Sequence, residues 1–207
     1  MQWMFRLYEL LATVLPALIV FLLLRRYAHK NELVYPLKKL SMILLFALYV
    51  FMVFDVTGAG TIYEIGKYPE LIRWEEISLV PFASGGALTH VLNIIMLMPL
   101  GILVPLIWPQ ARSLKAVLGC GFLFSVLIEC SQLLNRRNSA VDDLLMNTLG
   151  AVMGYLLYLL FARIFSKRLG PGTQAIRAEH LVYLGTMFLG HFLLFDWRML
   201  VRLFYDG

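Results

Sequence analysis

Apolar residues fill this chain in long continuous blocks rather than in alternation, and six such blocks can be counted. The first covers about residues 7–24 and stops at Arg25-Arg26. The second covers about residues 37–56, between Lys38-Lys39 and Asp55. A mixed stretch follows at 57–76, with glycines, acids, Tyr63, Tyr68 and Trp74, and it predicts an interfacial loop with a short helix. Residues 77–110 then contain no Asp, Glu, Lys or Arg, a longer run than the ~20 residues one span requires. The surplus, with Pro81, Gly85 and Gly86, predicts a non-helical re-entrant segment before a third helix at about 87–108. Such backbone is tolerated at membrane depth only under a cover of protein or beside water. A fourth span is expected at 114–134 and a fifth at 143–165. After Gly170-Pro171-Gly172 comes a last block at 180–195, short for a span and equally readable as interfacial.

Composition turns this pattern into a class. Of 207 residues, 60% are hydrophobic and 15% charged, against about 45–50% and about 25% in soluble domains, and the mean hydropathy is +0.77. A barrel would show alternating segments of about ten residues. The expectation is an all-α integral membrane protein: five to six transmembrane helices in one bundle, with a re-entrant or interfacial segment before the third. The first block lacks a basic leader and a small-residue cleavage site, so it reads as an uncleaved span. Three regions are expected: 1–36, an N-terminal span and basic loop; 37–165, the membrane domain; and 166–207, a loop and a final span or interfacial helix.

The net charge of +5 would suggest nucleic acid in a soluble protein, but here it reads as basic cytoplasmic loops, and no nucleic-acid partner is expected. Arg25, Arg26, Lys30, Lys38, Lys39, Arg112, Lys115, Arg163, Lys167, Arg168 and Arg177 fall on one side. Arg6, Lys67, Arg73, Arg136, Arg137, Arg198 and Arg202 fall on the other, diluted by acids. That bias places the second group outside, together with Glu129 and Asp142-Asp143. Cys120 and Cys130 lie about 15 Å apart along one helix, too far to bridge, and read as small packing residues.

Three consecutive spans carry a polar or small stripe at helical spacing. The third has His90, Asn93 or Ile94, Leu97, Gly101 and Pro105; the fourth has Gly121, Ser125, Glu129 and Gln132; the fifth has Asp143, Asn147, Gly150 and Gly154. Residues three and four apart share a helix face, and small residues let helices approach closely. Packing these faces together brings Asn93, Glu129, Gln132, Arg137, Asp142, Asp143 and Asn147 into one candidate functional cluster. Glu129 follows thirteen uncharged residues (116–128), and a carboxylate in that setting is either a site or half of a structural ion pair. Asp142 also suits a helix N-cap, Asn93 a helix bridge, and Gly150 with Gly154 packing alone. His191 has no metal-ligand spacing around it. Glu129 and Asp143 would suit acid–base work or a hard cation in principle. No spacing signature supports a metal site, and no nucleotide loop or catalytic motif is present, so no cofactor is expected and enzyme chemistry is left without support, though open.

Val80-Pro81-Phe82, Asn93-Ile94, Met98-Pro99-Leu100-Gly101, Glu129-Cys130-Ser131-Gln132, the run from Val141-Asp142-Asp143 to Asn147-Thr148-Leu149-Gly150, and Gly154-Tyr155 together resemble the VanZ-like family of bacterial membrane proteins. Two positions depart from it: many relatives have an acid where Ala140 stands and Phe where Met98 stands. Ala140 weakens any mechanism needing a third carboxylate. The resemblance implies a multi-pass protein of the bacterial plasma membrane linked to glycopeptide resistance, to acylated teicoplanin more than to vancomycin. The partners it implies are the bilayer and a lipidated glycopeptide or a cell-wall precursor lipid. The readings it leaves are an envelope protein that alters access at the outer face without catalysis, an enzyme or flippase-like factor using Glu129 and Asp143 on a lipid headgroup, and a purely structural adaptor.

Overall fold

In a computed structural model, residues 2–67, 77–78, 80–82, 86–135, 139–164, 176 and 178–196 are described. Among these residues six α-helices make up the bundle: α1 (Gln2–Lys30), α2 (Lys39–Thr57), α3 (Ala87–Ile107), α4 (Leu114–Gln132), α5 (Val141–Ile164) and α6 (Glu179–Leu194). The first five are long and apolar enough to cross a membrane. Helix α1 does not stop at Arg25-Arg26 but continues to Lys30. Arginine is a good helix former, and 29 residues give about 43 Å, enough to carry the basic turns through the headgroup layer.

Helix α6 has 16 residues, about 24 Å, yet it runs from one end of the bundle to the other, antiparallel to α1. Glu179 at its start meets Lys39 at the start of α2, and the carbonyl of Leu194 at its end accepts the Tyr8 hydroxyl near the start of α1. Gly190 packs on the Ala12 carbonyl, whose usual helical donor is missing because Pro16 lacks an N–H. The last block is therefore a sixth helix of the bundle, packed along α1.

Helices α3 and α5 meet backbone on backbone. A Cβ at Gly101 would strike the Ala151 carbonyl, one at Gly150 the Ile94 carbonyl, and one at Gly154 the Met98 carbonyl. Gly121 of α4 faces the Cβ of Ala151 in the same way. The stripes predicted for the third, fourth and fifth spans are thus the faces that pack together. Phe46, Phe54, Trp108, Phe124 and Tyr183 fill the rest of the core.

Two short non-helical lead-ins precede α3 and α5. Ile77–Ser78 (β1) pairs in parallel with Ser139–Ala140 (β2), which ties the re-entrant segment to the start of α5. The interfacial stretch holds a 3-10 turn at Ile62–Glu64, while residues 68–76 of that stretch and Gly170-Pro171-Gly172 lie outside the described residues. Cys120 is buried as expected, but Cys130 is exposed on the outer side of α4 rather than packed.

Candidate functional site

Helix α2 ends on Gly58, a C-cap in the left-handed conformation at φ 58°, where glycine carries no steric penalty. The polar end of α4 then grips the freed backbone. Gln132 Nε2 donates to the Thr57 carbonyl at 2.7 Å, Asn135 Nδ2 to the Gly58 carbonyl at 2.9 Å, and the Gly60 N–H to Ser131 Oγ at 3.0 Å. From α6, His191 Nε2 donates to the Ala59 carbonyl at 3.1 Å. These bonds satisfy backbone groups for which lipid offers no partner. Gln132 is consequently a cap for α2 as well as a candidate site residue.

Helix α5 begins at Val141, two residues before the expected start, so Asp142 and Asp143 both sit in its first turn, where the helix dipole favours negative charge. Asp142 is buried, and its Oδ1 accepts the Phe82 N–H at 2.6 Å. Asp142 therefore also holds the Val-Pro-Phe turn of the lead-in. Phe82 stands at φ 62°, an uncommon conformation for a bulky residue, and its ring lies edge-on to His90 at 6.0 Å. His90 Nε2 in turn lies 3.7 Å from Asp142 Oδ2. The motif in the lead-in and the first Asp of the pair are two halves of one contact. Replacing Asp142 with Ala is expected to release the 80–82 turn, read as faster backbone hydrogen exchange there, and Asp142→Asn should recover part of the protection. Unchanged exchange in Asp142→Ala would show that β1–β2 pairing suffices.

Asp143 turns the other way. Asn93 Nδ2 donates to its Oδ1 across the α3–α5 contact, and one turn further on Asn147 Nδ2 donates to Ser125 Oγ of α4 at 2.9 Å. Asn93, Glu129, Gln132, Asp143 and Asn147 all line one cavity of about 460 Å³, with Thr89 and Val56 at its exposed rim. The Tyr49 hydroxyl, donating to the Met96 carbonyl at 3.0 Å, ties α2 to α3 beside it. Of the predicted cluster, Asp142 supports the wall from behind, and Arg137 lies outside the described residues, as does Arg136.

Glu129 lines a second, smaller space as well. This groove of about 160 Å³ lies between α4, α5 and the two lead-ins, and Cys130, Leu133, Val141 and Leu144 give it apolar walls. A carboxylate therefore stands where a polar cavity meets an apolar groove. Among the described residues no group of three or more His, Cys, Asp or Glu is arranged to hold a metal ion. Such a lining suits recognition of a hydrogen-bond donor next to a hydrocarbon chain.

Two buried polar clusters escaped the sequence reading. At the cavity end, His191 is buried, stacks on Phe54 at 4.5 Å and lies 3.4 Å from Glu9. At the basic end, Lys39, Tyr35, Glu179 and Tyr183 form a network. There burial, with the hydrogen bond from Tyr35 to Glu179, pushes the Tyr35 hydroxyl well above the ordinary phenol range. Each cluster joins residues more than a hundred positions apart, so spacing carries no trace of it.

Residues 40–162, more than half of the chain, match the VanZ/LLP1 family model, and the chain belongs to that family. The matched region takes in α2 to α5 and the whole cavity, and leaves α1 and α6 outside. No curated protein and no solved structure matches the chain.

Proposed function

We propose that this VanZ/LLP1 member is an envelope protein that alters the access of lipidated glycopeptides, teicoplanin above all, to the membrane surface, acting by binding rather than catalysis. The cavity end faces outward in this reading, as the distribution of basic loops suggests. The observation that carries it is the convergence of Asn93, Glu129, Asp143 and Asn147 on one cavity beside an apolar groove. That combination fits a ligand with a polar head and an acyl tail better than it fits a soluble solute.

The test is expression in a susceptible Gram-positive host with teicoplanin and vancomycin inhibitory concentrations measured side by side. The expected result is a teicoplanin-selective rise that Glu129→Gln and Asp143→Asn each abolish at matched membrane levels. Absence of any rise with well-folded protein sinks the reading. The competing reading, headgroup chemistry or flipping with Glu129 and Asp143 handling protons, draws on the same two carboxylates sharing one cavity. It predicts an altered lipid or precursor pool that Glu129→Gln restores to normal.

A further inference from the structure

We propose that the cavity receives a primary ammonium headgroup of a membrane-resident amphiphile, with the hydrocarbon tail lying in the adjoining groove. This rests on the ligand-binding reading above and names the chemistry of the ligand. Three observations point to it.

First, the cavity is rich in acceptors. Asp143, half-buried in its wall, accepts one hydrogen bond from the Asn93 amide. No Lys or Arg among the described residues lines the cavity or the groove. Second, Asn147 lines the cavity at 2% exposure. Its amide nitrogen is committed to Ser125, while its Oδ1 has no hydrogen-bond partner among the described residues. A buried acceptor left unanswered is costly, so the missing partner is a donor. An ammonium group brings three donors and a positive charge and meets both needs, whereas a phosphate or carboxylate headgroup brings only acceptors. Third, the apolar groove opens beside the same Glu129 that lines the cavity, so head and tail have adjacent places. Its apolar walls, Cys130 of α4 and Leu133 just after it with Val141 and Leu144 of α5, suit a chain better than a sugar or peptide.

The experiment uses the full chain in phosphatidylcholine nanodiscs and a long-chain primary amine carrying a photoreactive diazirine in its tail. Its N-acetylated amide and the matching sulfonate serve as comparators. Labelling by the amine is expected on residues 130–133 and 141–144. It should exceed labelling by either comparator by about tenfold, the effect of one charge-assisted hydrogen bond. Asp143→Asn should bring the amine down to the level of the amide. If that variant fails to elute as folded protein, Glu129→Gln at the junction decides in its place. Equal labelling by amine and amide, or labelling that a folded variant leaves unchanged, overturns the proposal. Selective labelling without any teicoplanin effect removes the access reading and keeps the ammonium site, and a teicoplanin effect with unselective labelling does the reverse.

Discussion

Gly154→Ala is expected to lose most of its folded protein, while Gly119→Ala, in the neighbouring helix, should fold at least as well as the parent. Both substitutions add one methyl group to a helical glycine, and standard propensity favours alanine in either place by about 1 kcal/mol. The surroundings decide the sign. At Gly119 a Cβ would meet nothing within 4 Å, so the propensity gain survives. At Gly154 it would drive into the carbonyl of Met98 and crowd the Cα of Gly101. Both obstacles are backbone of a packed helix, which no rotamer change can move aside. Overpacking typically costs about 1–3 kcal/mol, and a clash with main chain on both flanks belongs at or above the top of that range. The α3–α5 contact also holds Asn93 against Asp143, so separating the helices dismantles the cavity along with the core. Size-exclusion recovery and thermal midpoints in one detergent measure the contrast directly. Equal midpoints for the two variants would mean that α3 and α5 stand too far apart for a Cβ at Gly154 to reach the Met98 carbonyl.

The same pair of glycines shows how far the sequence could be read. Gly101, Gly121, Gly150 and Gly154 fell on stripes three or four residues apart and could be assigned to a packed face, whereas Gly119 lay off every stripe. Periodicity reports which side of a helix is special, because the α-helix has a fixed turn. Of the seven residues the stripes suggested as one cluster, Asn93, Glu129, Gln132, Asp143 and Asn147 line one cavity, since three stripes on consecutive helices have few ways to pack. What the pattern does not encode is a bond from a side chain to distant backbone. Gln132 reaching the Thr57 carbonyl and Asp142 holding the Phe82 N–H depend on where a chain reversal puts one peptide group. The length of α6 leaves its place in the bundle open for a related reason. A short helix can cross the bundle when its ends are tied by polar contacts, here Glu179 to Lys39 and the Leu194 carbonyl to Tyr8, and hydropathy over a fixed window does not register them.

Those ties set up the second large effect, at Glu179. Its side chain is 0% exposed, and both of its oxygens bind the Lys39 ammonium, at 2.7 and 2.8 Å. The Tyr35 hydroxyl donates to the same carboxylate at 2.6 Å and Tyr183 lies 3.0 Å behind it. Lys39, nearly as buried, also stands over the Tyr35 ring at 4.6 Å. Removing the acid in Glu179→Ala strands an ammonium group in low dielectric and frees the tyrosine hydroxyl. Breaking one side of a buried pair typically costs about 3–5 kcal/mol. Removing both charges is a different operation, because the desolvation penalty disappears with the attraction, and an apolar replacement of similar volume is often neutral or better. Lys39→Met with Glu179→Leu should therefore recover most of the stability that Glu179→Ala loses, although it leaves the two tyrosines to pair with each other. Thermal midpoints of the parent, Lys39→Met, Glu179→Leu and the double variant give the coupling. If the pair serves only to close the bundle, the double variant will also keep the cavity at the far end intact, and its labelling by the amine probe will match the parent. A double variant as unstable as Glu179→Ala would instead make the carboxylate an organising centre for the ends of α2 and α6, needed for its hydrogen bonds to the tyrosines rather than for its charge.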